Sequence, residues 1–185
     1  MRMGGRPDPR TVEFARSRIG LVKHAVECLE SGASDEDAKA RAKYSKYSLK
    51  QGVFYPAIEW VPHPLLVSEG ALAYARRRGW ADPVAIFGLR RDDLCRTDGV
   101  GKHGESGLVL EHVYTGTMFV SALRELHRSS RLNEEELAVL LWGNYRCAWL
   151  TRSEDKKLKK SRRGATLVSA LEHYRDVGIS FADPP

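Results

Sequence analysis

The segment Tyr145-Arg-Cys-Ala-Trp-Leu-Thr-Arg-Ser-Glu154 contains the change from strand to helix on which the fold depends. Its first six residues, 145–150, form a short and mostly apolar run, which predicts a buried strand. Thr151 and Glu154 have the spacing of a capping box, in which each side chain bonds to the backbone N–H of the other residue. We therefore predict that a helix begins directly at the end of this strand.

Two further apolar runs, 84–89 and 108–114, predict two more strands. Apolar spacing and capping residues predict helices over residues 11–31, 34–44, 68–78, 115–126, 134–142 and 166–176. Helices that come first and then alternate with strands indicate an α+β fold. We expect a helix-rich single domain with a small central sheet of about three strands, flanked by helices.

The chain has 185 residues, of which 42% are hydrophobic and 29% are charged, as in a globular domain. We expect a flexible basic arm over residues 1–10 and one globular domain over 11–185, with a possible helical subdomain over 11–80. No run approaches the roughly 18 apolar residues of a membrane span. The basic N-terminus lacks the apolar stretch of a secretory signal, and three cysteines cannot all pair, so we expect a cytoplasmic setting.

The net charge of +6 is concentrated in residues 152–163, which contain seven basic residues and two acidic ones. The basic residues are Arg152, Lys156, Lys157, Lys159, Lys160, Arg162 and Arg163. Clustered positive charge is typical of a polyanion site and predicts a nucleic-acid partner, with DNA favoured over RNA and no membrane. A solvated helix end is the alternative explanation. Tyr44, Lys46 and Tyr47 combine aromatic and basic side chains, which suits contact with bases and phosphates.

Side chains suited to catalysis cluster in the glycine-containing segment 90–107 and just after it. Asp98 and His103 lie in this segment, and Glu111 and His112 follow on a predicted strand. Carboxylates and imidazoles bind divalent metals, and we expect Mg²⁺ or Mn²⁺. A polar loop without a site is the alternative.

Glu111-His112 near the end of a strand, with a helix downstream, resembles the opening of the HNH (His-Me finger) nucleases. The resemblance implies that Glu111 binds a metal and that His112 is the general base that activates water. Asn144 and Asp155 are the nearest residues to the later polar positions of that family, so the implied metal set is Glu111, His112 and Asp155. Neighbours on a strand point to opposite faces, so a shared site requires the strand to end or bulge there. We expect it to end before Thr115.

A second nuclease pattern places Asp98 or Glu111 with Glu154-Asp155-Lys156. In this pattern the carboxylates hold Mg²⁺, and the lysine stabilises the attacking water or the scissile phosphate. Both patterns predict hydrolysis of a phosphodiester bond.

Three functions therefore remain open. The first is a metal-dependent endonuclease of a phage or bacterial defence system. The second is a non-catalytic DNA- or RNA-binding protein that uses residues 152–163, and the third is a protein-interaction factor. The sequence has no P-loop, no dinucleotide-binding glycine motif and no Gly-x-Ser-x-Gly, so nothing supports nucleotide hydrolysis or serine esterase chemistry. The oligomeric state is left open.

Overall fold

A computed structural model describes residues 6–31, 36–62, 65–89, 107–159 and 166–184. Its elements are α1 (Pro9–Glu30), α2 (Glu36–Leu49), α3 (Ala57–Trp60), β1 (Leu66–Val67), α4 (Glu69–Arg77), β2 (Leu108–His112), α5 (Gly116–Arg128), α6 (Glu134–Asn144), β3 (Cys147–Thr151), α7 (Arg152–Lys159) and α8 (Leu167–Asp176). A π-helical turn over Lys50–Phe54 continues α2, and a 3-10 helix spans Pro83–Gly88. The chain forms two compact units: a first unit of residues 1–62 and 115–145, and a second unit of residues 63–114 and 146–185.

Helix α1 begins inside the segment that we expected to be a flexible arm. Asp8 is its N-cap and accepts a hydrogen bond from the backbone N–H of Arg10 at 2.9 Å. Pro9 occupies the first helical position, where its missing N–H costs nothing. The helix therefore starts two residues before Thr11, and residues 1–5 of the expected arm lie outside the described residues.

Aromatic rings fill the core of the first unit. The ring of Phe54 lies 5.4 Å from that of Phe119 and 5.2 Å from that of Tyr145. These separations and tilted geometries are those that aromatic pairs favour. The π-helical turn that carries Phe54 also approaches α1 closely, because a Cβ at Gly52 would lie 2.8 Å from Cδ2 of Leu21. A larger residue at position 52 would therefore require the Leu21 side chain to move.

The second unit contains a mixed sheet in the order β1-β3-β2. The central strand β3 pairs in parallel with β1 and antiparallel with β2, with Leu108 opposite Thr151 and His112 opposite Cys147. Residues 147–150 of β3 are all buried. This explains why the strand has an apolar run rather than alternating polarity, since both of its faces are covered.

Trp149 of β3 is the centre of the second core and has no exposed surface. Its indole Nε1 donates a hydrogen bond to the carbonyl of Leu89 at 3.2 Å. The cluster around it comprises Val67, Ala71, Leu72, Ile86, Leu89 and Leu108. The buried indole N–H is therefore satisfied, as such groups must be.

The predicted fold class is confirmed: the protein is a helix-rich α+β structure with a small three-stranded mixed sheet flanked by helices. The strands predicted over 108–114 and 145–150 are confirmed as β2 and β3, within a few residues. The prediction of a strand over residues 84–89 is wrong. Pro83 and an Asp82 side chain that accepts from Val84 N–H at 3.0 Å start a 3-10 helix there, in which only Ile86 is buried.

We predicted one domain over residues 11–185 with a possible helical subdomain over 11–80. This organisation stays a prediction. The two units divide the chain at other points, because residues 115–145 belong to the first unit. In the part of the chain that the structure describes, no helix is both long enough and apolar enough to cross a membrane.

Candidate nucleic-acid interface

The basic helix α7 starts directly after the last residue of β3, as predicted. The backbone N–H of Thr151 donates to Oε2 of Glu154 at 2.8 Å, and the N–H of Glu154 donates to Oγ1 of Thr151 at 3.3 Å. This is the reciprocal pattern of a capping box. The N–H of Arg152 also donates to the carbonyl of Gly107 at 2.9 Å, so the start of α7 is held beside the start of β2.

The Glu154 carboxylate also stabilises the start of α4. Its Oε2 accepts from Oγ of Ser68 at 2.8 Å, and that Oγ accepts from the N–H of Ala71 at 2.9 Å as the N-cap of α4. A Cβ at Gly70 would lie 2.5 Å from Oε1 of Glu154, so glycine makes room for the carboxylate. Glu154 therefore has a structural role at two helix starts.

The two faces of α7 differ sharply in charge. The helix packs against β2 and β3, and it buries Leu158 together with Asp155, which is only 4% exposed. Arg152, Lys156 and Lys157 are exposed. Both acidic residues of this helix are thus turned away from the outer face or engaged in capping. The other predicted contacts, Lys160, Arg162, Arg163 and the side chain of Lys159, lie outside the described residues.

Glu111 and His112 lie within a regularly paired strand. Glu111 is opposite Ala148 and His112 is opposite Cys147. The N–H of Val113 donates to the carbonyl of Arg146 at 3.0 Å, so the pairing continues past both residues without a bulge. Consecutive side chains of a strand point to opposite faces. The structure therefore does not bring Glu111 and His112 to one site.

His112 is half-buried, and part of its ring is closed to solvent. Its Nε2 atom is buried, and Tyr114, two residues later, is buried as well. Burial raises the pKa of Tyr114 to about 12, so this phenol is protonated at neutral pH. Burial also lowers the pKa of Arg146, the residue that pairs with Val113. A general base must reach the proton that it abstracts, and a buried Nε2 is poorly placed for that.

The predicted metal ligands do not form a cluster. Among the described residues, no group of three His, Cys, Asp or Glu side chains is arranged to hold a metal ion, and Glu111, His112 and Asp155 are all described. Glu111, His112 and Asp155 are therefore not arranged as one metal site, and the expected Mg²⁺ or Mn²⁺ stays a prediction. Asp98 and His103, the remaining predicted catalytic residues, lie outside the described residues.

The predicted contacts on α2 all lie on its outer surface. The helix buries Ala38, Ser45 and Leu49. Tyr44 is 72% exposed and Tyr47 is 60% exposed, and Lys46 is exposed beside them.

A cleft between α1 and α2 was not predicted from the sequence. Its volume is about 480 Å³. The residues that line it are Leu21, His24, Ala25, Cys28, Ala40, Arg41, Tyr44, Ser45 and Ser48. The positions of Ala25 on α1 and of Ala40 on α2 do not predict such a cleft, because the cleft depends on how the two helices cross.

No family model matches this chain, and no curated protein or solved structure is significantly similar to it.

Proposed function

We propose that this chain binds nucleic acid through the exposed basic face of α7. The observation that supports the proposal is the separation of charge on this helix. Arg152, Lys156 and Lys157 are exposed, whereas Asp155 is buried and Glu154 is bonded to Thr151 and Ser68. The outer face of α7 therefore carries basic residues without acidic ones.

A face with basic residues and no acidic ones favours binding of a phosphate backbone. Lysines and arginines that neutralise phosphates release condensed counterions, and this release drives binding at low salt. An acidic side chain on the same face would repel the phosphates and weaken this effect. Of the two acids of α7, Glu154 caps the helix and Asp155 lies on its buried side.

The proposal is tested by fluorescence anisotropy with labelled duplex DNA over a series of salt concentrations. We expect the affinity of the wild-type protein to fall steeply with salt. The double substitution Lys156→Ala and Lys157→Ala should weaken binding and make the slope of log K against log salt shallower by about 1.8, or 0.9 for each lost phosphate contact. RNA of the same length, measured in parallel, tests the expected preference for DNA.

The matched control is the double substitution Arg76→Ala and Arg77→Ala on α4. It removes the same charge from exposed residues of the same unit. If both double variants bind equally, net charge rather than α7 determines the affinity, and the proposal is wrong. If the wild-type protein does not bind even at low salt, the protein-interaction alternative remains.

The endonuclease activity, its divalent metal and a cytoplasmic setting stay predictions from the sequence. Glu111 and His112 point to opposite faces of β2, which does not favour the endonuclease activity or its divalent metal. Binding without catalysis is therefore the function that the geometry supports best.

A further inference from the structure

Lysines form a stripe along one side of α2. Lys39, Lys43 and Lys46 lie at positions i, i+4 and i+7, which places them on one side of the helix over about 10 Å. Lys39 pairs with Glu36 at 2.7 Å, but both side chains are well exposed, so the pair holds the lysine only weakly. In the described part of the chain, Lys43 and Lys46 pair with no carboxylate. The stripe is therefore available to an anion.

Two exposed tyrosine rings lie next to this stripe. Tyr47 follows Lys43 by four residues and Tyr44 by three, so it lies between the stripe and Tyr44 on the helix surface. Tyr44, at 72%, is the most exposed large hydrophobic side chain among the described residues. Rings exposed to this extent contribute little to the core, but they offer flat faces for stacking.

Tyr44 is also part of the cleft between α1 and α2. The apolar lining comes from Leu21, Ala25 and Ala40, and the polar lining includes His24 and Arg41. The volume of about 480 Å³ falls within the range of roughly 300–1,000 Å³ that is typical of small-molecule sites. Basic, aromatic and cleft-lining residues therefore lie next to one another on α2.

We propose that this face of α2 binds single-stranded nucleic acid, with phosphates on the lysine stripe and unpaired bases on Tyr47 and on Tyr44 at the cleft. This proposal goes beyond the proposed function, because α2 belongs to the first unit and α7 to the second, and each helix has its own test. Single strands are the class that fits, because the flat faces of bases in a duplex are covered by their neighbours. A protein partner fits less well, since lysine is depleted in the cores of protein interfaces.

The first test compares a labelled oligothymidylate of about 12 nucleotides with a duplex of the same length at low salt. We expect the single strand to bind more tightly. Tyr44→Ala and Tyr47→Ala should each weaken its binding by about fivefold to a hundredfold and leave duplex binding unchanged. An RNA oligonucleotide of matching sequence shows whether DNA or RNA is the better ligand.

The matched controls are Tyr44→Phe and Tyr47→Phe, which keep the stacking ring and should bind within about twofold of the wild type. All four substitutions are at exposed positions of a helix, so circular dichroism should show unchanged folding. Wild-type affinity of both alanine variants for the single strand overturns the proposal, and so does an equal loss of duplex binding in these variants.

A second test uses Cys28, a free thiol that lines the cleft. Its Sγ lies 3.9 Å from Nε2 of His24. A base in the cleft should slow alkylation of Cys28 at least severalfold, as measured by mass mapping of the Cys28 peptide. Cys147, which is buried, is the internal control. An unchanged rate of Cys28 alkylation at saturating oligothymidylate overturns the placement of a base there.

The two proposals fail in different ways. If the α7 double variant binds all nucleic acids like the wild type while Tyr44→Ala weakens binding, the proposal for α7 is wrong and the proposal for α2 stands. If the tyrosine variants bind the single strand like the wild type while the α7 variant does not, only the α2 proposal is wrong. Absence of binding to any nucleic acid overturns both.

Discussion

Glu154 shows how a single carboxylate can connect two helix starts. It closes the capping box of α7 with Thr151 and accepts from Ser68, the N-cap of α4. Each such cap stabilises a helix by about 1 kcal/mol. Because these bonds occupy the carboxylate, they also argue against a metal-binding role for Glu154.

Gly70 and Glu154 should be energetically coupled. Replacing glycine by alanine inside a helix normally stabilises it by up to about 1 kcal/mol, but a Cβ at Gly70 would lie 2.5 Å from Oε1 of Glu154. We expect Gly70→Ala to raise the free energy of unfolding when Glu154 is replaced by alanine, and not to raise it in the wild type. Urea unfolding of the four proteins should give a coupling of about 1 to 2 kcal/mol.

Gly20→Ala is the control for this cycle, because a Cβ at Gly20 in α1 meets nothing within 4 Å. It should change stability by the same amount with and without Glu154. If Gly70→Ala also has the same effect in both backgrounds, the close contact with Glu154 has no energetic consequence.

At the scale of whole elements, α1 and α5 are joined by an ion-pair cluster at Glu30. Its carboxylate accepts from Nε of Arg128 at 2.8 Å and also from Arg124. The bonds from Arg128 and then from Arg124 lower the pKa of Glu30 below its ordinary value of 4.5. Nη2 of Arg128 also donates to Oε1 of Glu30 at 3.2 Å, and this bidentate geometry makes the cluster stronger than a simple surface pair.

The contribution of Glu30 to stability should disappear in acid. A carboxyl group whose pKa is lowered by folding stabilises the folded state above its ordinary pKa, and this stabilisation is lost as the pH falls through the folded-state value. We expect Glu30→Gln to have a lower melting temperature than the wild type at pH 7, and the difference to shrink as the pH falls below 4.5. Thermal melts followed by circular dichroism at several pH values measure this.

Glu36→Gln is the matched control, because among the described residues Glu36 forms an ion pair with the exposed Lys39 alone. It should melt close to the wild type at every pH. A Glu30→Gln difference that stays constant down to acid pH contradicts the role assigned to the Glu30 cluster.

At the scale of the whole molecule, the open question is whether binding is accompanied by cleavage. The sequence predicts an endonuclease centred on Glu111 and His112, and the strand places these two residues on opposite faces of the sheet. The net charge of +6 suits association with a polyanion whether or not the bound nucleic acid is cleaved.

A cleavage assay decides between the two functions. If the endonuclease prediction is right, the protein cleaves plasmid DNA in Mg²⁺ or Mn²⁺ and not with chelator, and His112→Ala abolishes cleavage while binding persists. His127→Ala, a substitution on α5, is the control and should leave cleavage intact. No cleavage in any divalent metal removes the endonuclease prediction and leaves binding. Full cleavage by a folded His112→Ala protein removes the role of His112 as the general base.

Short-range patterns predicted much of the fold. Ser68, Asn133 and Thr166 cap α4, α6 and α8 through bonds that span three residues, so their effect can be recognised locally. The apolar runs of β2 and β3 were recognised in the same way. In contrast, β1 has two residues and exists only because it pairs with β3, which lies about 80 residues further along the chain. No local pattern predicts such a strand.

The sequence by itself determined the α+β class, the starts of α4 to α8 and the concentration of positive charge in residues 152–163, because capping, periodicity and charge depend on neighbouring residues. Only the tertiary structure decided which charges reach the surface. It buries Asp155 against the sheet and engages Glu154 with Ser68, 86 residues away, and it separates Glu111 from His112 through the register with β3. Burial and register depend on contacts between segments distant in the chain, and these contacts form only when the chain packs.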